Sequence, residues 1–355
     1  MSVSRQKKVY LPTTARKNQY ITVGFPLTDE FLSHYKSIDD CYREFSNLVF
    51  SKAEEFELYN VHVVASDKLP VVRFHTDSYY FSTPEQLRLF YNPAHHEANR
   101  LYTTPNHRAK KLKVVFLSTG EDLRNNAARF HAKIQQFTKA LMAELPTVQL
   151  ATKIRDHQHI SYDFFAKNKG RKETYAYKLR KLNSRYQRRE CQLPESVSSL
   201  NYVMITLPVD RKIKRQFVTD NVTDYNESYQ LVSDKFVEAA KSKQLNRVAV
   251  IANDKFPLVR NSKYDELTST DELQMIGFDP ADNNPDPVCH WDGSQLVEAL
   301  RFVIVAGKDD VIDEGYGRFM NQVEDALRKF IGEFDFDKEH IDLTVRFHQH
   351  LSYKA

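Results

Sequence analysis

Val63-Val64-Ala65-Ser66-Asp67-Lys68-Leu69-Pro70-Val71-Val72-Arg73 is met again as Val250-Ile251-Ala252-Asn253-Asp254-Lys255-Phe256-Pro257-Leu258-Val259-Arg260, 187 residues on and without a gap. In the same register Ser82, Thr83 and Glu85 meet Ser269, Thr270 and Glu272, and Pro93-Ala94 meets Pro280-Ala281. Further out, Tyr20-Ile-Thr-Val-Gly-Phe-Pro26 parallels Tyr202-Val-Met-Ile-Thr-Leu-Pro208, and Leu112–Leu117 parallels Leu300–Val305. His157-Gln-His-Ile-Ser-Tyr162 stands against His348-Gln-His-Leu-Ser-Tyr353 near the end of each stretch. The matches keep one order, so the chain reads as two α+β copies, 1–166 and 197–355, joined by a basic segment at 167–196.

Within a copy the apolar period alternates between two and 3.6 residues. The first copy predicts strands at Tyr20–Leu27, Val61–Ser66, Val71–His75, Leu112–Leu117 and Val148–Tyr162, with helices over Ile38–Phe56 and Asp122–Glu144. Phe130, Ile134, Phe137 and Leu141 form the apolar stripe of a helix packed on a sheet, and Phe319, Val323, Ala326, Leu327 and Phe330 repeat it. The expected fold is α+β, a tandem duplication of a ferredoxin-like (βαββαβ-type) unit with helices on one face of a mainly antiparallel sheet. Asn92–Lys111 is expected to be a long loop, and Asp67–Pro70 and Asp254–Pro257 hairpin connections.

Composition closes several function classes. With 9 glycines and 3 cysteines in 355 residues there is no G-x-G-x-x-G, no P-loop and no C-x-x-C. No apolar run reaches the length of a membrane span, and the basic N-terminus lacks the apolar core of a secretory leader. These features predict a cytoplasmic protein with free thiols, no membrane partner and no cofactor.

The net charge of +4 is the difference of two unlike parts. Residues 1–216 hold 36 Lys/Arg against 21 Asp/Glu, and 217–355 hold 15 against 26. Residues 167–190 alone carry ten basic and two acidic side chains, with Tyr175, Leu179, Leu182 and Tyr186 at helical spacing. This predicts an amphipathic basic linker helix that neutralises a nucleic-acid backbone. Its candidate contacts begin with Lys167, Lys169, Arg171, Lys172, Tyr175 and Lys178. They continue through Arg180, Lys181, Arg185, Arg188 and Arg189, with Arg155 and His157 added from the adjoining strand. A basic front and an acidic back also permit self-association or a protein partner at the C-terminal copy.

The repeated histidine strands are the second candidate site. Alternation puts Lys153, Arg155, His157, His159 and Ser161 on one face of their strand, and Arg346, His348, His350 and Ser352 on one face of theirs. His159-Ile-Ser161 and His350-Leu-Ser352 resemble the paired H-x-[ST] signature of 2H phosphodiesterases, which implies one histidine as general base, the other as general acid, and the hydroxyls on phosphate. His157-Gln-His159 with Tyr175-x-x-Lys178 is similar to the metal-binding pair and nucleophile motif of HUH endonucleases, although Gln158 departs from the hydrophobic middle residue. A third possibility is one metal ion held by His157, His159, His348 and His350. Tandem ferredoxin-like modules further resemble the plan of CRISPR repeat-associated RNA-processing proteins, whose glycine-rich loop is absent here.

The expected function is therefore nucleic-acid binding, to RNA or single-stranded DNA, without catalysis. The alternatives are a metal-independent nuclease or 2H-like phosphodiesterase using His159, Ser161, His350 and Ser352, and a self-assembling structural protein.

Overall fold

A computed structural model describes residues 9–10, 16–74, 86–104, 106–125, 127–146, 152–165, 174–175, 193–194, 197–209, 225–254, 256–261, 267–269, 273–279, 282, 285–307, 316–333 and 343–355. Among them the chain runs β1 (Val9–Tyr10), β2 (Arg16–Pro26), α1 (Asp29–Leu32), α2 (Ile38–Glu55), β3 (Val61–Ala65), β4 (Leu69–Phe74), β5 (Gln86–Tyr91), β6 (Arg100–Thr103), β7 (Lys111–Leu117), α3 (Gly120–Asn125), α4 (Ala127–Glu144) and β8 (Lys153–Asp163). It continues through β9 (Thr174–Tyr175), β10 (Ser198–Pro208), α5 (Asn226–Lys241), β11 (Val248–Ala252), β12 (Phe256–Asn261), β13 (Leu267–Ser269), β14 (Leu273–Phe278), β15 (Val288–Trp291), β16 (Ala299–Val305), α6 (Tyr316–Glu333) and β17 (Thr344–Lys354). Among the described residues no helix is long and apolar enough to cross a membrane.

Ten strands hydrogen-bond in the order β15-β11-β16-β10-β17-β8-β2-β7-β3-β6. This corrects the expectation of tandem ferredoxin-like units on a mainly antiparallel sheet. The large sheet is mixed, with β3 parallel to β6 and β11 parallel to β15 at its two ends. The cause is the connection after β3 and after β11. Ser66–Lys68 does not close a hairpin but carries the chain out of the sheet, where β4 pairs parallel with β5. The matching stretch after β11 enters a second small sheet of order β12-β14-β13. The chain then returns to the large sheet as β6 or β15, so part of the expected loop at Asn92–Lys111 is a strand.

The chain divides into two compact units. The first comprises Lys17–His159, Asn183–Ser199 and Gln349–Ala355; the second comprises Met1–Arg16, Ile160–Leu182 and Leu200–His348. β8 and β17 thus each begin in one unit and end in the other.

In the first unit α2 starts where Ser37 accepts from the Asp40 N–H at 3.0 Å, with Asp39 and Asp40 in the first turn complementing the helix dipole. Its buried stripe is Cys41, Tyr42, Phe45, Val49 and Ala53. β3 is apolar at every position but His62 and buried on both faces. Tyr20, Val64, Val115 and Leu117 of the sheet pack with Val72, Leu89 and Tyr91 of the β4-β5 ribbon. Tyr42 clamps the strand entry: its hydroxyl donates to the His107 carbonyl at 2.8 Å and accepts from the Ala109 N–H at 2.9 Å.

The second unit repeats the clamp, with Tyr229 donating to the Gln295 carbonyl at 2.8 Å and accepting from the Val297 N–H at 3.0 Å. One face of its strands buries Val203, Ile205, Val250, Phe302 and Ile304 against α5 and α6. Phe236, Phe302 and Phe330 meet there at centroid distances of 4.2 to 5.3 Å. The opposite face buries Met204, Ala249, Ile251 and Val303 with Val259, Ile276 and Phe278 of the small sheet. Both faces are therefore covered in each unit.

Candidate three-histidine site

β8 alternates as the sequence predicts: Ile154, Asp156, Gln158, Ile160 and Tyr162 are buried, and Arg155, His157, His159 and Ser161 are half-buried. In the first unit, His350 of β17 joins His157 and His159. One ring nitrogen from each of the three imidazoles lies within 4.8 Å of the other two. His159 Nε2 stands 3.3 Å from His350 Nε2, and the His157 and His350 rings meet at a centroid distance of 4.5 Å and an angle of 67°.

Tyr20 of β2 fixes the ring orientations. It stacks on His157 at 4.5 Å and 8°, and stands edge-on to His159 at 5.5 Å. Burial pushes the Tyr20 phenol up to about 12, with Arg73 opposing, so the ring stays neutral. Cationic groups gather beside the same strand. Lys113 is brought down to about 8 by burial and by the charges of Lys111 and Arg155, against the opposing pull of Asp67. Its ammonium donates to the Ser66 and Lys68 carbonyls at 2.8 Å each. This bond holds the turn that the sequence repeats, and Arg301 holds the Asn253 carbonyl in the same way.

The opposite face of β8 is tied down by groups the sequence reading missed. Asp156 accepts from Gln19 Nε2 at 3.2 Å and lies 2.9 Å from His131 Nδ1. His131 Nε2 is 2.7 Å from the Tyr353 hydroxyl, which also accepts from Gln135 Nε2 at 2.8 Å. His131 is fully buried. Its signal in the sequence is its place beside Phe130 on the apolar stripe of α4, where a histidine requires polar partners.

The other candidate residues are placed as follows. Ser161 is half-buried on β8. Ser352 is half-buried on β17, its carbonyl accepting from Ser198 Oγ at 3.3 Å. His348 is not an outward surface position: in the second unit it is 3% exposed and stacks on Tyr202 at 4.3 Å and 7°. The cluster therefore consists of His157, His159 and His350. Tyr175 lies in β9, where the backbone pairs with Val9 of β1 rather than continuing a helix. Lys167, Lys169, Arg171, Lys172, Lys178, Arg180, Lys181, Arg185, Arg188 and Arg189 lie outside the described residues.

Among solved structures the chain has a distant likeness to F. graminearum TRI101 complexed with coenzyme A and T-2 mycotoxin, at 9% identity and a TM-score of 0.20, covering 94% of this chain and 80% of that one. The same protein complexed with ethyl coenzyme A gives 10% identity and a TM-score of 0.18, covering 95% and 80%. Likeness at this level carries no argument about fold or chemistry. No curated protein matches the chain. The sequence pattern of one family, described as protein of unknown function (DUF3083), matches residues 40–353, and the chain belongs to that family.

Proposed function

We propose that the chain is a cytoplasmic nucleic-acid-processing protein that binds RNA or single-stranded DNA and breaks a phosphodiester bond at His157, His159 and His350. One observation carries the reading: His159 and His350 stand 191 positions apart in the chain, yet their Nε2 atoms lie 3.3 Å apart. In phosphodiester cleavage the attacking hydroxyl forms a new P–O bond and gives its proton to a base, the P–O bond to the leaving oxygen breaks, and that oxygen takes a proton from an acid or from water. Imidazoles supply such chemistry near neutral pH, and placing them on strands backed by a buried tyrosine holds their geometry.

At 3.3 Å the His159 and His350 nitrogens leave no room for a phosphate between them. A hydrogen bond between the two rings, or one small ion held by both, fits that separation. That separation favours this arrangement over the two-sided acid and base of the 2H pattern. Attraction of a polyanion is supported by the excess of Lys and Arg in residues 1–216 and by Arg155, which shares β8 with His157 and His159. The unpaired thiols of Cys41 and Cys289 are in keeping with a reducing compartment.

Labelled single-stranded RNA, single-stranded DNA and duplex DNA, read by fluorescence anisotropy over a salt series and then run on a denaturing gel, test the reading. Salt-steep binding with shortened probes, and intact probes with His159→Ala, is the expected result. Binding that leaves every probe intact removes the catalytic part and returns the protein to a binding module. Absence of binding at low salt overturns the reading and favours assembly with a protein.

A further inference from the structure

We infer that His157, His159 and His350 bind one divalent transition-metal ion, of the zinc, cobalt, nickel or copper class, with at least one coordination position left open. The inference deepens the proposed function and rests on the same site, but its argument is geometric. A tetrahedral ion with metal–nitrogen bonds of about 2.0–2.1 Å sets its ligand nitrogens about 3.3–3.4 Å apart. The Nε2 atoms of His159 and His350 lie at 3.3 Å, and the third imidazole keeps all ligating nitrogens within 4.8 Å.

At 3.3 Å one neutral imidazole can donate its N–H to the other, which joins a single pair. One metal ion joins all three, because each imidazole donates a lone pair to it. Among the described residues the cluster contains histidine and no carboxylate, which suits borderline ions and disfavours magnesium and calcium.

The support around the cluster is of the kind a metal site needs. Tyr20 packs flat on His157 and edge-on to His159, so neither ring is free to swing. On the other face, the bonds of Asp156 to Gln19 and His131 anchor the backbone between Arg155 and His157. Tyr353, three positions past His350, is held by His131 and Gln135. The strands that carry the ligands are thus held through one buried network. Three protein ligands leave the remaining position for water or a phosphate oxygen, where the ion acts as the electrophile.

The test uses the untagged full chain, stripped with a chelator and titrated with cobalt(II) while visible absorption is recorded, followed by competition with zinc(II) and elemental analysis. The expected result is one ion per chain, with the intense absorption of low-coordinate cobalt that zinc abolishes. His157→Ala, His159→Ala and His350→Ala should each lower affinity at least about 100-fold, because each removes a direct ligand and not merely an outer support. His95→Ala, in an exposed turn, should leave affinity unchanged, and far-ultraviolet circular dichroism verifies folding of each variant. Binding below one equivalent, or equal binding by His159→Ala and His350→Ala in their folded forms, overturns the inference. Probe cleavage that persists in chelator and is lost in His159→Ala overturns the metal while sparing the proposed function. One tightly bound ion without cleavage of any probe upholds the metal and overturns the function.

Discussion

His131 Nε2 lies 2.7 Å from the Tyr353 hydroxyl across a sequence separation of 222 residues, and the contact is fully buried. Gln135 donates to the tyrosine oxygen, His131 Nε2 faces the tyrosine hydroxyl, and Nδ1 faces the Asp156 carboxylate. Each polar group of this buried network thus has a partner.

Replacing His131 by alanine takes the imidazole partner from both the Asp156 carboxylate and the Tyr353 hydroxyl. The expected loss is about 3 kcal/mol of stability, read from the urea midpoint. Tyr353→Phe removes a hydroxyl and keeps the ring, and should cost about 1–2 kcal/mol. Equal midpoints for His131→Ala and the parent chain would show that the network contributes nothing.

His62 gives the fold an acid limit. Burial, helped by Arg100, brings its pKa down to about 4, and its Nδ1 has no hydrogen-bond partner among the described residues. An unfolded chain takes up this proton near pH 6.5, so stability falls as pH drops from about 6.5 to about 4 and levels off below. His62→Leu should flatten that window while an apolar side chain of similar size still fills the space beside Tyr102. Parallel stability profiles for the two proteins between pH 4 and 7 would refute the assignment.

Lys113 acts at the other end of the scale. Its folded pKa of about 8 lies under the unfolded value of 10.5, so the unfolded state holds the extra proton between them. Stability from this group therefore rises as pH increases from about 8 to about 10.5. Lys113→Met should remove that rise, and at neutral pH it should also destabilise, because the Ser66 and Lys68 carbonyls lose their donor. Chemical denaturation at pH 7.5 and pH 10 measures both effects.

Asp67 accepts from the Lys110 N–H at 2.9 Å, and Asp254 accepts from the Glu298 N–H at 3.2 Å. Alanine at either position should cost about 1 kcal/mol. The two losses should add in the double variant, because each turn belongs to its own unit. A double variant much worse than the sum would show that the turns are coupled.

The sequence reading succeeds where burial is one-sided or complete. β3, β7 and α2 are legible because their apolar residues follow the period of the element they form. β6 is not, because Arg100-Leu101-Tyr102-Thr103 is a short end strand with no position fully buried. The β4-β5 ribbon was half seen: Val71–His75 reads as extended, but nothing local tells a strand to leave one sheet for another. At the site, alternation places His157 and His159 on one face, and the repeated H-x-S marks His350 as their counterpart. His348 follows the same alternation yet is buried, because Tyr202 covers it, and such cover comes from a distant part of the chain. His131 escaped notice because its partners Asp156 and Tyr353 are assembled only by the fold.

The division of β17 between units gives the three-histidine site a birth time. His157 and His159 leave the ribosome long before His350, which follows His159 by 191 positions. At about 5–20 residues per second, the interval is about 10–40 s. During it the first unit lacks both its third imidazole and Tyr353, the partner of His131. A nascent or prematurely ended chain thus carries two of the three imidazoles, and the cluster is completed in a single late step when β17 pairs.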